Sequence, residues 1–208
     1  MNTVTGTSPE VLRARMVDRV LAKQRLTPAV EAALRRVERH RYVPRAPLTD
    51  AYDEKAVITH TSPEGVHLSC ASGPSIVAAM LDALDVRPGQ RVLEVGAGTG
   101  YNAALLATLV GPDGEVTTVD INADVTAAAR RNLDDTGFHR VRVLTRDGAE
   151  GAPEHGPYDR VIVTVGAWDL PPAWWDQLVP GGRLVVPLRW RGTTRALGLT
   201  KAADRWVG

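Results

Sequence analysis

At 208 residues, 44% hydrophobic and 24% charged, the chain suits one principal globular domain, with room for a small appended subdomain. Lys and Arg number 25 against 24 Asp and Glu, a formal net charge of +1, which excludes the global positive field that non-specific nucleic-acid binding uses. Cys70 is the single cysteine, which excludes a disulfide framework and a cysteine-based zinc site; a cytoplasmic location is the default expectation, and no apolar run is long enough to span a membrane.

Residues 1–9 are polar and small, without the basic-then-apolar layout of a signal peptide, and a frayed terminus is expected there. Over 9–22, Val11, Leu12, Met16, Val20 and Leu21 recur at three- and four-residue steps, a helical period. A second helix is predicted from Thr27-Pro28, an N-cap type followed by proline at the first helical position. It runs through Val30, Ala33, Leu34 and Val37 and stops before Tyr42-Val43-Pro44. The charges from Arg13 to Arg41 read as solvated helix faces, with an acidic peptide as the functional alternative. Residues 45–68 look irregular, apart from a hairpin signal at Pro63-Glu64-Gly65.

From Ser72 the texture changes. A helix over 74–84 leads through the turn Arg87-Pro88-Gly89-Gln90 into a short apolar strand, 91–95. The glycine loop Gly96-Ala97-Gly98-Thr99-Gly100 follows, then an Ala/Leu-rich helix over 102–110 and a strand from 115 that ends at Asp120. Beyond it come a helix over 123–133, strands over 140–145 and 160–165, and a helix over 174–178 stopped by Pro180-Gly181-Gly182. Strands over 183–188 and 196–200 and the start of a hairpin partner complete the chain. This alternation predicts a doubly wound parallel α/β sheet with helices on both faces. The expected division is a helical cap and substrate loop over 1–68 and a ligand-binding core over 69–208, cut short at its C-terminus.

The strongest chemical signal is strand, glycine loop, helix, then an acid closing the next strand. Gly96, Gly98 and Gly100 permit a tight turn and close backbone approach, and the helix from Asn102 offers free N–H groups. Asp120 is placed to accept hydrogen bonds from ribose hydroxyls. The spacing G-x-G-x-G is one residue shorter than the dinucleotide fingerprint, which counts against a nicotinamide dehydrogenase. Glu94 would repel a pyrophosphate and attract an ammonium, so the acids favour S-adenosylmethionine. Past the next strand, Asp147 could accept an adenine amino group, with Gly148 leaving room for the ring.

Taken together, Val92 to Ala104, then Asp147-Gly148, Tyr158-Asp159 and Val163-Thr164, resemble the protein-L-isoaspartate O-methyltransferase family. Upstream, Tyr42-Val43-Pro44 with Ala51-Tyr52 is similar to that family's N-terminal helical cap, and Ser72-Gly73-Pro74 to its active-site loop. The resemblance implies a Rossmann-like class I methyltransferase sheet, S-adenosylmethionine as cofactor with S-adenosylhomocysteine as product, and no metal. It further implies a cofactor site of Ser72, Glu94, Gly96, Ala97, Gly98, Thr99, Gly100, Asn102, Asp120, Ile121, Asp147, Gly148 and Thr164. Ser72 is the catalytic candidate, and His67, Ser69 and Trp168 are substrate-contact candidates.

Two departures from the family pattern suggest a branch. The repair enzymes' Gln-Thr-Ile-Ser-x-Pro loop is here Ser69-Cys70-Ala71-Ser72-Gly73-Pro74, and Trp168-Asp169-Leu170-Pro171-Pro172-Ala173-Trp174 replaces the usual sequence after Thr164. That run, with Val185-Val186-Pro187-Leu188-Arg189, resembles methyltransferases that tailor ribosomally made lanthipeptides and graspetides. The function expected on that resemblance is methyl esterification of an aspartate carboxylate in a cyclised peptide, leading to succinimide or isoaspartate. Housekeeping isoaspartyl repair is the nearest rival, and a non-catalytic S-adenosylmethionine-binding module is the rival from another class. The partner is a peptide or protein carrying an Asp or isoAsp carboxylate, with neither nucleic acid nor membrane involved.

Several residues keep two readings. Ser72 fits an orienting hydroxyl for the accepting carboxylate or an N-cap for the next helix. His60 and His67 fit plain loop residues or substrate contacts, and Trp168, Trp174 and Trp175 a peptide-binding wall or helix packing. Cys70 has no assignable basic partner and reads as a small packed hydrophobe.

Overall fold

The computed structural model describes residues 8–208, so most of the expected frayed terminus lies outside the described residues. Helix α1 (Pro9–Leu21) begins where the Ser8 hydroxyl accepts the Val11 N–H, with Pro9 entering the first turn. Helix α2 (Pro28–Arg36) starts after Thr27, which makes no side-chain cap bond. A 3-10 turn over Arg39–Tyr42 and the short helix α3 (Leu48–Ala51) follow. The stretch read as irregular then forms two antiparallel strands, β1 (Val57–Thr61) and β2 (His67–Ala71), joined through the expected Pro63-Glu64-Gly65 turn. Ordering reaches further than the sequence suggested because the Ser62 hydroxyl accepts the Glu64 and Val66 N–H groups and closes the loop locally.

The core comprises α4 (Pro74–Leu84), β3 (Arg91–Val95), α5 (Tyr101–Val110), β4 (Glu115–Asp120), α6 (Ala123–Asp135), β5 (Arg142–Thr145), β6 (Tyr158–Val163), α7 (Pro172–Asp176), β7 (Leu178–Trp190), β8 (Thr193–Lys201) and β9 (Trp206–Val207). The sheet order is β5-β4-β3-β6-β7-β8-β9. Strands β3 to β7 are mutually parallel, as expected of a doubly wound sheet, and β8 and β9 run antiparallel, in line with the hairpin partner read at the end of the chain. Arg191 and Gly192 both have positive φ, 48° and 81°, and make the two-residue hairpin that only antiparallel strands accept. Pro180-Gly181-Gly182, expected to stop a helix, lies within β7, opposite the register shift between Tyr158 and Arg160 of β6.

Both sheet faces are covered. Val92 faces an apolar cluster with Leu81, Leu105 and Leu106, which also takes in Met16, Val17, Val20, Leu34 and Tyr42 from the N-terminal segment. Leu93 and Val95 face a second cluster with Val161, Val163, Trp174, Leu184 and Val186. A strand buried on both faces reads as a continuous apolar run, so its one buried charged residue, Glu94, stands out. Among the described residues no helix is long and apolar enough to cross a membrane.

Candidate active site

The site forms where the chain leaves β3. Gly96 and Ala97 both donate their N–H groups to Val119 O, at 2.8 and 3.1 Å, which folds the loop back over the end of β4. Gly96 has φ +104°, and a Cβ there would stand 2.5 Å from Thr164 Oγ1. Only glycine meets both conditions. Thr164 closes the same corner from β6, its hydroxyl donating to Gly96 O at 2.7 Å. Asp120 braces the loop from β4: Oδ2 accepts the Gly98 N–H at 3.3 Å and Oδ1 the Asn122 N–H at 3.1 Å. These groups sit at the carboxyl ends of β3, β4 and β6, where connections from β3 diverge to opposite sides of the sheet. Open α/β sheets bind ligands in that crevice.

A cavity of about 680 Å³ opens there, lined by Glu94, Gly96, Ala97, Gly98, Thr99, Asn102, Asp120, Ile121 and Thr164, and on the other side by His67, Ser69 and Ser72. Thus most of the expected residues come together. Glu94 is fully buried on the Val92 face of β3. Its Oε1 accepts from Asn102 Nδ2 at 2.8 Å, whereas its Oε2 is buried without a hydrogen-bond partner. Burial pushes the Glu94 pKa up to about 7, with the Thr118 hydroxyl and then the Asn102 amide acting in the opposite direction. A buried carboxylate oxygen left without a donor at a cavity wall matches a cationic ligand. The donor set therefore fits the ammonium and sulfonium of S-adenosylmethionine and disfavours a phosphate.

The family model described as protein-L-isoaspartate(D-aspartate) O-methyltransferase matches residues 13–207. The chain belongs to this family. It is 44% identical over 179 residues to the protein-L-isoaspartate O-methyltransferase of Methanopyrus kandleri, covering 85% of this chain and 76% of that protein. A solved protein-L-isoaspartate O-methyltransferase superposes with a TM-score of 0.86 at 29% identity; 93% of this chain covers 61% of that one. A Plasmodium falciparum structure, titled as a complex of such a methyltransferase with S-adenosylhomocysteine, shares the fold at a TM-score of 0.76 and 18% identity, over 95% and 91% of the two chains. The family's class is that of S-adenosylmethionine-dependent protein carboxyl O-methyltransferases, on the class I fold, and the nicotinamide alternative falls.

Four expected site residues lie outside the cavity lining. Gly100 has φ +85°, and its missing Cβ faces Leu133 of α6, so its role is packing and turn geometry. At Gly148 a Cβ would collide with Val95 Cγ1, so that glycine admits a core valine where room for a ligand ring was expected. Asp147 is exposed and spends Oδ1 on the Ala149 N–H at 2.9 Å, within its own turn. Trp168 is 72% exposed. The three-tryptophan wall does not form: Trp174 is buried and donates to Gly148 O at 2.8 Å, and Trp175 meets Trp206 edge-on at 4.8 Å.

The loop residues also needed the structure. Helix α4 is capped by Gly73, and the Ser72 hydroxyl makes no hydrogen bond among the described residues, so the N-cap reading of Ser72 is not realised. Cys70 is exposed on β2 and lines the cavity, contrary to the packed-hydrophobe expectation, because β2 pairs only with β1 in a small separate sheet and of its residues only Ala71 is buried. His67 lines the cavity, and His60 lines a neighbouring one of about 1090 Å³ that shares Ser69, Gly98 and Thr99. Arg39, read as part of a solvated face, is 0% exposed and lines the cavity. One signal could have found it: Arg39 and Tyr42 are three residues apart, and in a 3-10 turn such residues share a face.

Proposed function

We propose that the protein methyl-esterifies the free carboxylate of isoaspartyl residues in peptides and proteins, releasing S-adenosylhomocysteine. One observation carries this reading: a single cavity is lined both by Ser72 and by the fully buried carboxylate of Glu94. The donor, when bound, supplies a methyl on a sulfonium whose C–S electron pair stays with sulfur. In this reading Glu94 receives the donor's ammonium and Asp120 its ribose hydroxyls. The backbone of Gly96 to Gly100 comes close to it, and Asn102, Ile121 and Thr164 complete that side; Asp147 and Gly148 take part through the shape of their turn. Ser72 orients the accepting carboxylate, with His67 and Ser69 beside it. A carboxylate with an ordinary pKa near ~4 is ionised at neutral pH, so no general base is required. The protein's contribution is alignment and exclusion of water. In this reading the described part of the N-terminal segment, residues 8–68, belongs to the substrate end, and a cytoplasmic setting goes with it.

The test is mass spectrometry of an isoaspartyl peptide and its aspartyl twin with enzyme and methyl donor. The expected result is one added methyl on the isoaspartyl peptide, followed by loss of methanol as the succinimide closes. No ester on any isoaspartyl peptide rejects the proposal. Cofactor uptake without formation of S-adenosylhomocysteine would instead indicate a binding module.

A narrower reading, tailoring of a cyclised ribosomal peptide, is favoured by one observation: Trp168 stands 72% exposed within its Trp-Asp-Leu-Pro-Pro-Ala-Trp run. The names of the relatives support repair over it. Methylation of a macrocyclic, Asp-containing precursor with indifference to linear isoaspartyl peptides would reverse that preference.

A further inference from the structure

Among the described residues Arg39 is one of the largest fully buried side chains and the one of them that carries a permanent charge. Among the described residues no carboxylate lies within ion-pair distance of it. Its Nε donates to Ala51 O at 2.8 Å, and Nη2 donates to Ala71 O at 3.1 Å and Ser72 O at 2.8 Å. The guanidinium lies 4.9 Å from the centre of the ring of Tyr101, the residue that follows the glycine loop, and Nη1 and the Tyr101 hydroxyl are both buried and interact without a well-formed hydrogen bond. Burial pulls its pKa down. Tying two loops together needs only neutral donors, and a buried charge without a counterion is costly. The charge itself therefore calls for an explanation.

The cavity supplies one, because its wall is polarised. Glu94 and Asp120 are its acids, and Arg39 is its permanent cation. A cationic donor belongs at the acidic end, which leaves the Arg39 end, beside Ser72, for an anion. We propose that Arg39 is a positioning residue for carboxylate capture. It fixes the Ala71–Ser72 segment through the two carbonyls, and its charge favours the substrate carboxylate at the Ser72 hydroxyl. Because a trans peptide sets N–H opposite C=O, holding the Ala71 carbonyl on Arg39 turns the Ser72 N–H away from it, as a further polarised donor.

This inference rests on the carboxyl-methylation reading, and the experiment separates the two. Arg39→Met and Arg39→Lys are assayed for kcat and KM on an isoaspartyl peptide, with S-adenosylhomocysteine affinity measured by calorimetry. Arg39→Met should lower kcat/KM by roughly tenfold or more, mostly through KM, while cofactor affinity holds within about twofold, and Lys should recover part of the loss. In a Ser72→Ala background the same change should cost much less. Equal activity in Arg39→Met, Met and Lys variants that behave alike, or cofactor affinity falling in step with turnover would overturn it. Should both variants fail to fold, arginine side-chain NMR of the unmodified protein decides. One slowly exchanging Nε–H should shift when isoaspartyl peptide is added to the S-adenosylhomocysteine complex, and no shift overturns the inference. An unmodified protein inactive on every isoaspartyl peptide defeats the underlying reading; an active one with an equally active Arg39→Met variant defeats only this step.

Discussion

The wall made by β3, the glycine loop and β4 and the wall made by residues 67–72 face the same cavity, yet they are held in different ways. The first is local: parallel strands in register, Glu94 opposite Thr118 and Val95 opposite Val119, and a loop closed by Val119 O and Asp120. The second belongs to a separate two-stranded sheet and is held by Arg39, 32 or 33 residues away along the chain. In the proposed reading the donor binds the ladder-supported wall, and the acceptor meets the wall that β1 and Arg39 together hold.

The largest effect should come from the first wall. Glu94→Ala is expected to weaken S-adenosylhomocysteine binding by about 100-fold or more in calorimetry, since a buried charge partner of the ligand is removed. The same residue sets a pH dependence. Its folded pKa, about 7, lies above the ordinary 4.5, so the ligand-free folded state binds a proton more tightly than the unfolded chain. Stability without ligand should then fall as pH rises between those values, and Glu94→Gln should remove that slope in thermal melts. Donor affinity should drop below about pH 7 as the carboxylate is protonated. Donor affinity and melting slopes unmoved by pH in this range would remove Glu94 from the cofactor wall.

Next in size is Gly96→Ala. With φ +104° and Thr164 Oγ1 2.5 Å from the new Cβ, the loop has to shift, at a cost of about 2–4 kcal/mol in denaturant unfolding. Ser72→Ala tests the second wall: kcat/KM for an isoaspartyl peptide should fall roughly tenfold with cofactor affinity unchanged. A loss of cofactor affinity there would mean that the two walls are not separable. The smallest effect belongs to Trp168→Ala, which should move stability by less than about 0.5 kcal/mol and leave turnover of isoaspartyl peptides intact. A large loss confined to cyclised peptides would give that exposed ring a substrate role.

Legibility in the sequence followed the same divide. The apolar run 91–95, the three glycines and Asp120 exposed the cofactor wall, because a strand, a turn and a helix start are all decided within about 30 residues. Arg39 was hidden in an arginine-rich stretch whose other members, such as Arg35 and Arg41, do pair with acids near the surface. Gly148 was read as ligand space because a glycine's neighbour across the fold, here Val95, leaves no mark in the local sequence.

By itself the sequence determined the α/β alternation, the glycine turn and the acids that flank it, since all of these follow from periodicity, backbone permissiveness and charge along a short stretch of chain. Tertiary structure alone decided that Gly73 and not Ser72 caps α4, and that an arginine buried without a counterion among the described residues stands behind Ser72. Those outcomes depend on which distant groups meet and on whether water can still reach them, and burial sets the cost of a charge far more than its position in the chain does.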